Sequence, residues 1–241
     1  MSAKIWAHRG ASYDFPENSM IAFEQAVIQQ ADGIELDVQQ TKDGVLVIYH
    51  DEHLGRLTGK NALLKDLTWA ELQTLNICQT SSNHADQVCR IPKFSDFLSW
   101  FATQNIELNI EIKNGAYPIP GVEKRLLQEI ENLHLENRII FSSFNHLSMK
   151  EIKELNPEVR CGLLYLAQLY RPWEYANSLG VDALHPMKAS LLYPDFVNIC
   201  HDSGLAVHPW TIDDEAELKL AFSLNPDAVI TNRPAFARKL R

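Results

Sequence analysis

The chain has 241 residues, of which 46% are hydrophobic and 22% are charged. This composition predicts a single globular domain over residues 1–241 and excludes a disordered chain. The formal net charge of −9 argues against nucleic acid and against an anionic membrane surface as partners, because both carry negative charge themselves.

The sequence also bears on the setting of the protein. No apolar run approaches the ~20 residues that a membrane span needs, and the start "MSAKIWAHRG" has no apolar signal-peptide core. The four cysteines show no CxxC spacing, which favours reduced thiols; Cys78 and Cys89 are the pair close enough in sequence to check. We therefore expect a cytoplasmic protein with no stable membrane association.

Strand-like runs alternate with helical patterns along the chain. The strand-like runs lie at 4–10, 33–41, 107–113, 138–144, 159–165, 181–186, 205–210 and 227–232. Helical patterns lie at 19–30, 94–105, 120–134 and 213–224. Eight strands, mostly followed by helices, predict an α/β fold of the (β/α)8 TIM-barrel type, for which ~250 residues is the usual size. A doubly wound open sheet is the alternative, but no GxGxxG follows any strand.

One segment departs from this alternation. "GVLVIYH" (44–50) follows the second strand across "KDG", which is a hairpin signal, so an extra strand should pair there. Residues 51–92 then form a small insertion after the second barrel strand. Within it, Thr68 and Glu71 have capping-box spacing, which predicts a short helix over 68–75.

The stretch "GIELDV" (33–38) places two acids on one strand. Side chains at i and i+2 share a face, so Glu35 and Asp37 point the same way and repel each other. A shared proton, ion pairs to Arg9 or Lys113, or a divalent cation would resolve that repulsion.

A third acid, Glu111, stands at the end of the next barrel strand. Because functional side chains of such barrels gather at the carboxyl ends of the strands, Glu111 should join Glu35 and Asp37. An all-oxygen set suits one hard cation, Mg²⁺ or Ca²⁺ with Mn²⁺ as a further candidate, and disfavours zinc.

Two histidines flank the predicted acidic cluster. His8 and His50 end strands, and imidazoles can serve as acid and base near neutral pH. With Arg9 and Lys113 beside a cation, the site suits an anionic phosphate centre, which predicts phosphodiester cleavage. Enolisation supported by carboxylate-bound Mg²⁺ is the competing chemistry. The weaker candidates for touching substrate are His53, His185 and His208.

Three stretches carry a family resemblance. "AHRGASYDFPENSMIAFEQAV", "GIELDVQQTKDGVLVIYHD" and "DAVITNRP" resemble the glycerophosphodiester phosphodiesterases of the bacterial cytosolic type, across nearly the whole chain. The resemblance implies a TIM barrel with a small insertion after the HD motif. It also implies hydrolysis of small glycerophosphodiesters, such as glycerophosphocholine or glycerophosphoethanolamine, to sn-glycerol 3-phosphate and an alcohol.

The resemblance also implies roles for individual residues. Carried over position by position, it implies His8 and His50 as general acid and base, and Glu35, Asp37 and Glu111 as metal ligands. It implies Arg9 and Lys113 as the cations that bind phosphate. It further implies that Glu17 and Asn18 order the first loop and add a contact to the site, and that Trp210 is the aromatic side chain lining the pocket. Two residues depart from the pattern of the family. Ser19 replaces the usual threonine, which preserves a capping hydroxyl, and Asn232 replaces a common aspartate.

Several alternatives stay open. A lysophospholipase D or related lipid phosphodiesterase on the same barrel would need an apolar rim, and the sequence shows no obvious one; Leu63, Leu64, Leu67 and Trp69 of the insertion are interpreted as packing onto the barrel. A glycerophosphodiester-binding module would need neither histidine. The sequence does not decide which histidine is the base, whether water or a neighbouring glycerol hydroxyl attacks, or whether the protein is a monomer or a homodimer.

Overall fold

A barrel-shaped sheet organises the computed structural model, which describes residues 2–78, 84 and 86–241. The described residues form nine strands: β1 (Lys4–His8), β2 (Gly33–Gln40), β3 (Leu46–Ile48), β4 (Glu107–Ile112), β5 (Ile139–Ser143), β6 (Arg160–Tyr165), β7 (Ala183–Pro186), β8 (Ala206–Val207) and β9 (Ala228–Thr231). All but β3 lie in the order β8-β7-β6-β5-β4-β2-β1-β9, paired in parallel.

Hydrogen bonds bring the two edge strands together. The Asp227 amide donates to the Val207 carbonyl at 3.1 Å, and the Ile230 amide donates to the Pro209 carbonyl at 3.0 Å. The eight parallel strands therefore form a nearly closed TIM barrel, and the predicted fold class is confirmed.

Helices lie between the strands. They are α1 (Met20–Ile28), α2 (Gly55–Thr58), α3 (Trp69–Leu72), α4 (Phe94–Phe101), α5 (Val122–Glu131), α6 (His146–Leu155), α7 (Pro172–Leu179), α8 (Phe196–Asp202), α9 (Glu215–Leu224) and α10 (Pro234–Leu240). The four helices predicted within the barrel correspond to α1, α4, α5 and α9. Ser19 caps α1, since its hydroxyl accepts from the Ala22 amide at 3.2 Å, so the capping role expected of this departure is confirmed.

The predicted hairpin strand and the predicted capping box are both present. Strand β3 runs antiparallel to β2, and Thr68 and Glu71 make both hydrogen bonds of a capping box at the start of α3. Leu64 is buried with Val47 and Tyr49 in an apolar cluster of its own, against which Leu67 and Trp69 pack. The insertion thus packs on the extra strand β3. Residues 79–83 and 85 of the predicted insertion lie outside the described residues.

The structure also describes the state of the cysteines and the length of the helices. All four cysteines, Cys78, Cys89, Cys161 and Cys200, are free thiols, as the sequence predicts. Among the described residues, no helix combines the length and the apolar character that crossing a membrane requires.

The alternating pattern of β2 divides its side chains between two environments. Ile34, Leu36 and Val38 lie in the main core, between the barrel and its surrounding helices. Glu35 and Asp37 point into the barrel and are also buried, with 3% and 0% of their surface exposed. The helices outside leave these acids no route to water except the barrel itself.

Two histidines fill the barrel interior rather than the site. His185 Nε2 and His208 Nδ1 lie 2.9 Å apart, and both side chains are buried. Their ring packing requires Gly162 on β6, because a Cβ atom there would lie 2.3 Å from His185 Nε2. Burial lowers the pKa of His185 to about 3 and lowers that of His208 as well, with help from the neighbouring His185.

This pair predicts how stability depends on pH. Below the ordinary histidine pKa of about 6.5, the unfolded chain binds protons that the folded chain refuses, so the free energy of unfolding falls as pH falls towards the folded pKa. The slope is about 1.4 kcal/mol per pH unit for each such histidine. In urea unfolding between pH 6.5 and 4.5, we expect His185→Asn to show a shallower decline than the wild type, by roughly 1 kcal/mol per pH unit. If the free energy of unfolding falls with pH at the same slope in both proteins, this expectation is contradicted.

Candidate active site

Three acids converge at the carboxyl ends of two neighbouring barrel strands. Asp37 on β2 stands directly opposite Glu111 on β4, and Glu35 precedes Asp37 by two residues on the same face. One carboxylate oxygen of each lies within 4.8 Å of the others, and all three residues are buried. The structure therefore brings together the three acids that the sequence predicts.

Two cations lie against this acidic cluster. Arg9 Nε is 3.3 Å from Asp37 Oδ2, while Lys113 Nζ is 2.7 Å from Glu111 Oε1 and 3.6 Å from Asp37 Oδ1. Burial opposes ionisation of Asp37, but the charges of Arg9 and Lys113 outweigh it and hold the pKa of Asp37 well below its usual range. Asp37 is thus ionised at neutral pH.

The other two acids, Glu35 and Glu111, have pKa values shifted in the opposite direction. Burial raises the pKa of Glu35, and the charges of Asp37 and Glu111 raise it further. Burial and the charge of Asp37 likewise raise the pKa of Glu111. Within the part of the chain that the structure describes, three carboxylates lie against two permanent cations, so the cluster holds more negative charge than Arg9 and Lys113 neutralise.

The donor set fits a hard divalent cation. Oxygen atoms of Glu35, Asp37 and Glu111 are the ligand type that Mg²⁺ and Ca²⁺ prefer. Moreover, Asp37 Oδ1 is buried and makes no hydrogen bond, since Lys113 Nζ stops 3.6 Å away, and an oxygen in this state gains from a further positive group in contact with it. These three residues could therefore hold such an ion.

His8, at the end of β1, points one ring nitrogen into the site. Its Nδ1 lies 2.7 Å from Asn232 Oδ1, and the Asn232 amide nitrogen donates to the Asp213 carboxylate at 2.5 Å. This fixes Asn232 Oδ1 as an acceptor, so His8 carries its proton on Nδ1. Nε2 then faces the acids, 3.9 Å from Glu35 Oε2. Burial, followed by the charge of Arg9, lowers the pKa of His8 to about 4.

His50 follows β3 and is oriented by a carboxylate. Its Nδ1 lies 2.7 Å from Asp51 Oδ1; a carboxylate only accepts hydrogen bonds, so this nitrogen carries a proton and leaves Nε2 for other partners. The Gln39 amide nitrogen on β2 lies 3.0 Å from the His50 carbonyl oxygen and 2.8 Å from that of Tyr49, which anchors this segment to the barrel wall.

The first loop contributes Glu17 and Asn18. Asn18 donates from its side chain to Asp37 Oδ2 at 2.7 Å, and its backbone has φ +54°, a left-handed conformation that asparagine tolerates. Glu17 accepts from Arg9 Nη1 at 2.8 Å. Both residues therefore order the side chains that surround the acids, in the place where the sequence predicts them.

Trp210 lies beyond β8, at the same end of the barrel. Its indole nitrogen donates to the His185 carbonyl at 2.7 Å, and its ring meets Phe144 edge to face with the ring centres 5.6 Å apart. Phe144 comes directly after β5, so the two rings span the mouth from one strand end to another. Trp210, which is predicted to line the pocket, thus packs against Phe144, which is not among the predicted site residues.

Three further residues shape the site but are not among the predicted site residues. Asn232 orients His8, Asp51 orients His50, and Arg56 on α2 binds Asp51 and Glu17. The sequence indicates the pairing of Asp51 with His50, because the two residues are adjacent in the HD dipeptide. By contrast, nothing in the spacing of Arg56 indicates that its helix folds back over the first loop.

The rim of the mouth is more apolar than the sequence indicates. The segments that follow β5, β6 and β7 expose large apolar side chains, namely Phe144, Leu147, Leu166, Leu169, Tyr170, Leu192 and Tyr193. A pocket of about 230 Å³ opens among Leu169, Trp173 and Tyr193. A larger cavity of about 420 Å³ lies against the insertion and is lined by Trp69 and Arg90, so side-chain chemistry rather than cavity size locates the site. No obvious apolar rim is visible in the sequence, because these exposed side chains come from three separate segments of the chain.

Known proteins resemble this chain over its full length. The glycerophosphoryl diester phosphodiesterase family profile matches residues 8–236. A glycerophosphodiester phosphodiesterase of Caldanaerobacter subterraneus subsp. tengcongensis is 37% identical over 97% of this chain and 96% of its own. One from Bacillus altitudinis is 35% identical over 99% and 98%.

A solved structure adds a bound product. A phosphodiesterase from Oleispira antarctica, in complex with the product sn-glycerol-3-phosphate, has a TM-score of 0.83 and 26% identity, with 99% of this chain and 96% of that one covered. A full-length family match and relatives above 30% identity agree with the barrel and with the chemistry of its mouth. This chain therefore belongs to the glycerophosphoryl diester phosphodiesterase family of enzymes.

Proposed function

We propose that this protein hydrolyses small glycerophosphodiesters, such as glycerophosphocholine and glycerophosphoethanolamine, to sn-glycerol 3-phosphate and a free alcohol. One observation carries the proposal: three buried acids and two partly buried cations lie together between two histidines, each of which has one nitrogen held by a partner. The relatives named above carry the same activity in their names.

We propose Glu35, Asp37 and Glu111 as the ligands of one divalent cation, Mg²⁺ or Ca²⁺, with Mn²⁺ as a further candidate. When bound, such an ion supplies Lewis-acid stabilisation of charge on a phosphoryl oxygen. Arg9, Lys113 and a dication would place positive charge beside the three carboxylates, which suits the anionic oxygens of a phosphodiester.

The histidines divide the proton transfers. His50 is oriented through Nδ1 by the Asp51 carboxylate, which leaves Nε2 for the substrate, so we assign it as the acid that gives a proton from Nε2 to the departing alcohol oxygen. His8 contacts a neutral amide oxygen, so we assign it as the base that takes a proton at Nε2 from the attacking hydroxyl. Each transfer contributes about 10²–10⁴-fold. Water and a neighbouring glycerol hydroxyl both suit this arrangement as the attacking group.

The remaining side chains bind and orient the substrate. Arg9 and Lys113 are assigned to the phosphate oxygens, because both cations lie partly exposed beside the acids and present N–H donors. Trp210 is assigned to the apolar side of the glycerol moiety, and Glu17 and Asn18 hold the first loop in place. We also propose that residues 1–241 act as one domain with residues 51–92 as an insertion, since β3 pairs with the barrel and packs with the insertion.

The exposed apolar rim favours a second candidate, hydrolysis of monoacyl glycerophospholipids. An acyl chain leaving the mouth would meet the apolar segments after β5, β6 and β7 instead of water, which lowers the free energy of the complex. The phosphodiester chemistry would be the same, and only the second substituent on glycerol would differ.

One assay tests both candidates. Glycerophosphocholine, glycerophosphoethanolamine and a lysophosphatidylethanolamine are each incubated with the protein and a divalent cation, and the phosphorus-containing products are identified by ³¹P NMR. We expect sn-glycerol 3-phosphate from the first two substrates. Faster turnover of the lysolipid would favour the second candidate, and the absence of any phosphomonoester would refute both.

A further inference from the structure

Arg56 joins two loops that carry different parts of the site. Its guanidinium lies on α2 of the insertion. Nε is 2.6 Å from Asp51 Oδ2 and Nη2 is 3.1 Å from Asp51 Oδ1. On its other side, Nη1 is 2.8 Å from Glu17 Oε2 and Nη2 is 2.7 Å from Glu17 Oε1. One side chain thus binds two carboxylates through four contacts.

Each of those carboxylates contacts a residue of the reaction. Asp51 accepts from His50 Nδ1 at 2.7 Å, and Glu17 accepts from Arg9 Nη1 at 2.8 Å. Arg9 in turn lies 3.3 Å from Asp37 Oδ2. The chain of contacts therefore runs from the imidazole proposed as the acid, through Arg56, to the guanidinium proposed to bind phosphate.

The geometry needs arginine rather than any cation. A planar guanidinium presents donors along two edges, so it can bind two carboxylates side by side, whereas a lysine ammonium is a point charge. Arg56 is 46% exposed, and isolated exposed ion pairs contribute little to stability. Its contacts therefore serve mainly to fix the orientation of Asp51 and Glu17.

We propose that Arg56 is a positioning residue, which holds His50 through Asp51 and Arg9 through Glu17. This inference rests on the proposed roles of His50 and Arg9. Without the guanidinium, the Asp51 carboxylate is free to rotate away from its contact with His50 Nδ1, and proton transfer to the leaving alcohol slows. Glu17 likewise loses a partner, and Arg9 becomes less ordered at the phosphate.

The test compares two variants within the insertion. Arg56→Ala should lower kcat by about 10–100-fold, the usual effect of removing a residue that orients a group of the site, and should raise KM several-fold. Arg90→Ala is the matched control, because Arg90 is exposed and donates to the carbonyls of Thr74 and Leu75, away from the acids. Arg90→Ala should keep the wild-type kcat. Thermal unfolding of each variant shows whether it is folded.

Two further measurements separate positioning from a structural role. Added guanidinium chloride at millimolar concentration should restore part of the activity of Arg56→Ala but not that of Asp51→Asn. Because Arg56 acts through Asp51, combining Arg56→Ala with Asp51→Asn should lower kcat by much less than the product of the two single effects. Arg56→Lys should recover little, since an ammonium cannot bind both carboxylates in the plane.

The outcomes distinguish this proposal from the proposed function. If the wild type releases glycerol 3-phosphate and His50→Ala does not, but Arg56→Ala matches Arg90→Ala, the positioning role is refuted and the function stands. If the double variant lowers kcat by the full product of the two single effects, the positioning role is also refuted. If the wild type releases no phosphomonoester, the function itself fails.

Discussion

Replacing His50 with alanine should lower kcat for glycerol 3-phosphate release by at least about 10²–10⁴-fold, the range that a single acid–base group contributes. The Nδ1 proton of His50 is held by Asp51, so Nε2 is the nitrogen left to reach the leaving oxygen, and alanine removes it. His50 is partly exposed, so its loss should leave the melting temperature nearly unchanged. The same loss of activity is expected for His8→Ala.

His53→Ala provides the matched control. His53 lies three residues further on and hydrogen-bonds Asn61 at an exposed position of the insertion, so it should retain the wild-type kcat. Rates are measured at saturating substrate, and each variant is checked by thermal unfolding. Normal turnover by folded His50→Ala would remove this residue from the mechanism.

Replacing Glu35 with glutamine should have opposite effects on activity and on stability. Glu35 is buried with two other acids, and burial and their charges raise its pKa. Neutralising it removes that repulsion, so the free energy of unfolding of the metal-free protein at pH 7–8 should rise by about 1 kcal/mol. The amide oxygen can still accept from the Arg9 backbone amide, which lies 3.0 Å from Glu35 Oε2.

Activity should nevertheless fall by at least about 10²-fold in Glu35→Gln, because an amide is a poorer ligand for a divalent cation and charge stabilisation by the ion is worth several kcal/mol. We expect Mg²⁺ or Ca²⁺ to raise the melting temperature of the wild type and to raise that of the variant less. Glu158→Gln, at an exposed position, serves as the control and should behave as wild type. A destabilised Glu35→Gln that kept its activity would contradict both expectations.

The predictable part of this site is the part that lies on strands. Glu35 and Asp37 alternate with apolar residues, and the period of a strand assigns them to one face without further information. Glu111 follows because parallel strands end at the same edge of a barrel. These rules are local and periodic, so they can be applied to a sequence before any tertiary contact is known.

The unpredicted part depends on loops. Arg56 reaches Glu17 across 39 positions of sequence, and Asn232 reaches His8 across 224, contacts for which no spacing rule exists. His185 and His208 end strands just as His8 does, yet they bind each other in the interior, because Gly162 leaves room for a ring there. The apolar rim is assembled from three separate segments and has no continuous pattern in the sequence.

The direct measurement of the cation requirement is glycerol 3-phosphate release by the wild type after chelation, and again after Mg²⁺, Ca²⁺ or Mn²⁺ is restored separately. The buried excess of negative charge on Glu35, Asp37 and Glu111 leads us to expect no measurable release from the chelated protein. At least one of the three ions should recover full activity. Undiminished hydrolysis by protein free of divalent ions would contradict the central claim that these acids hold a cation.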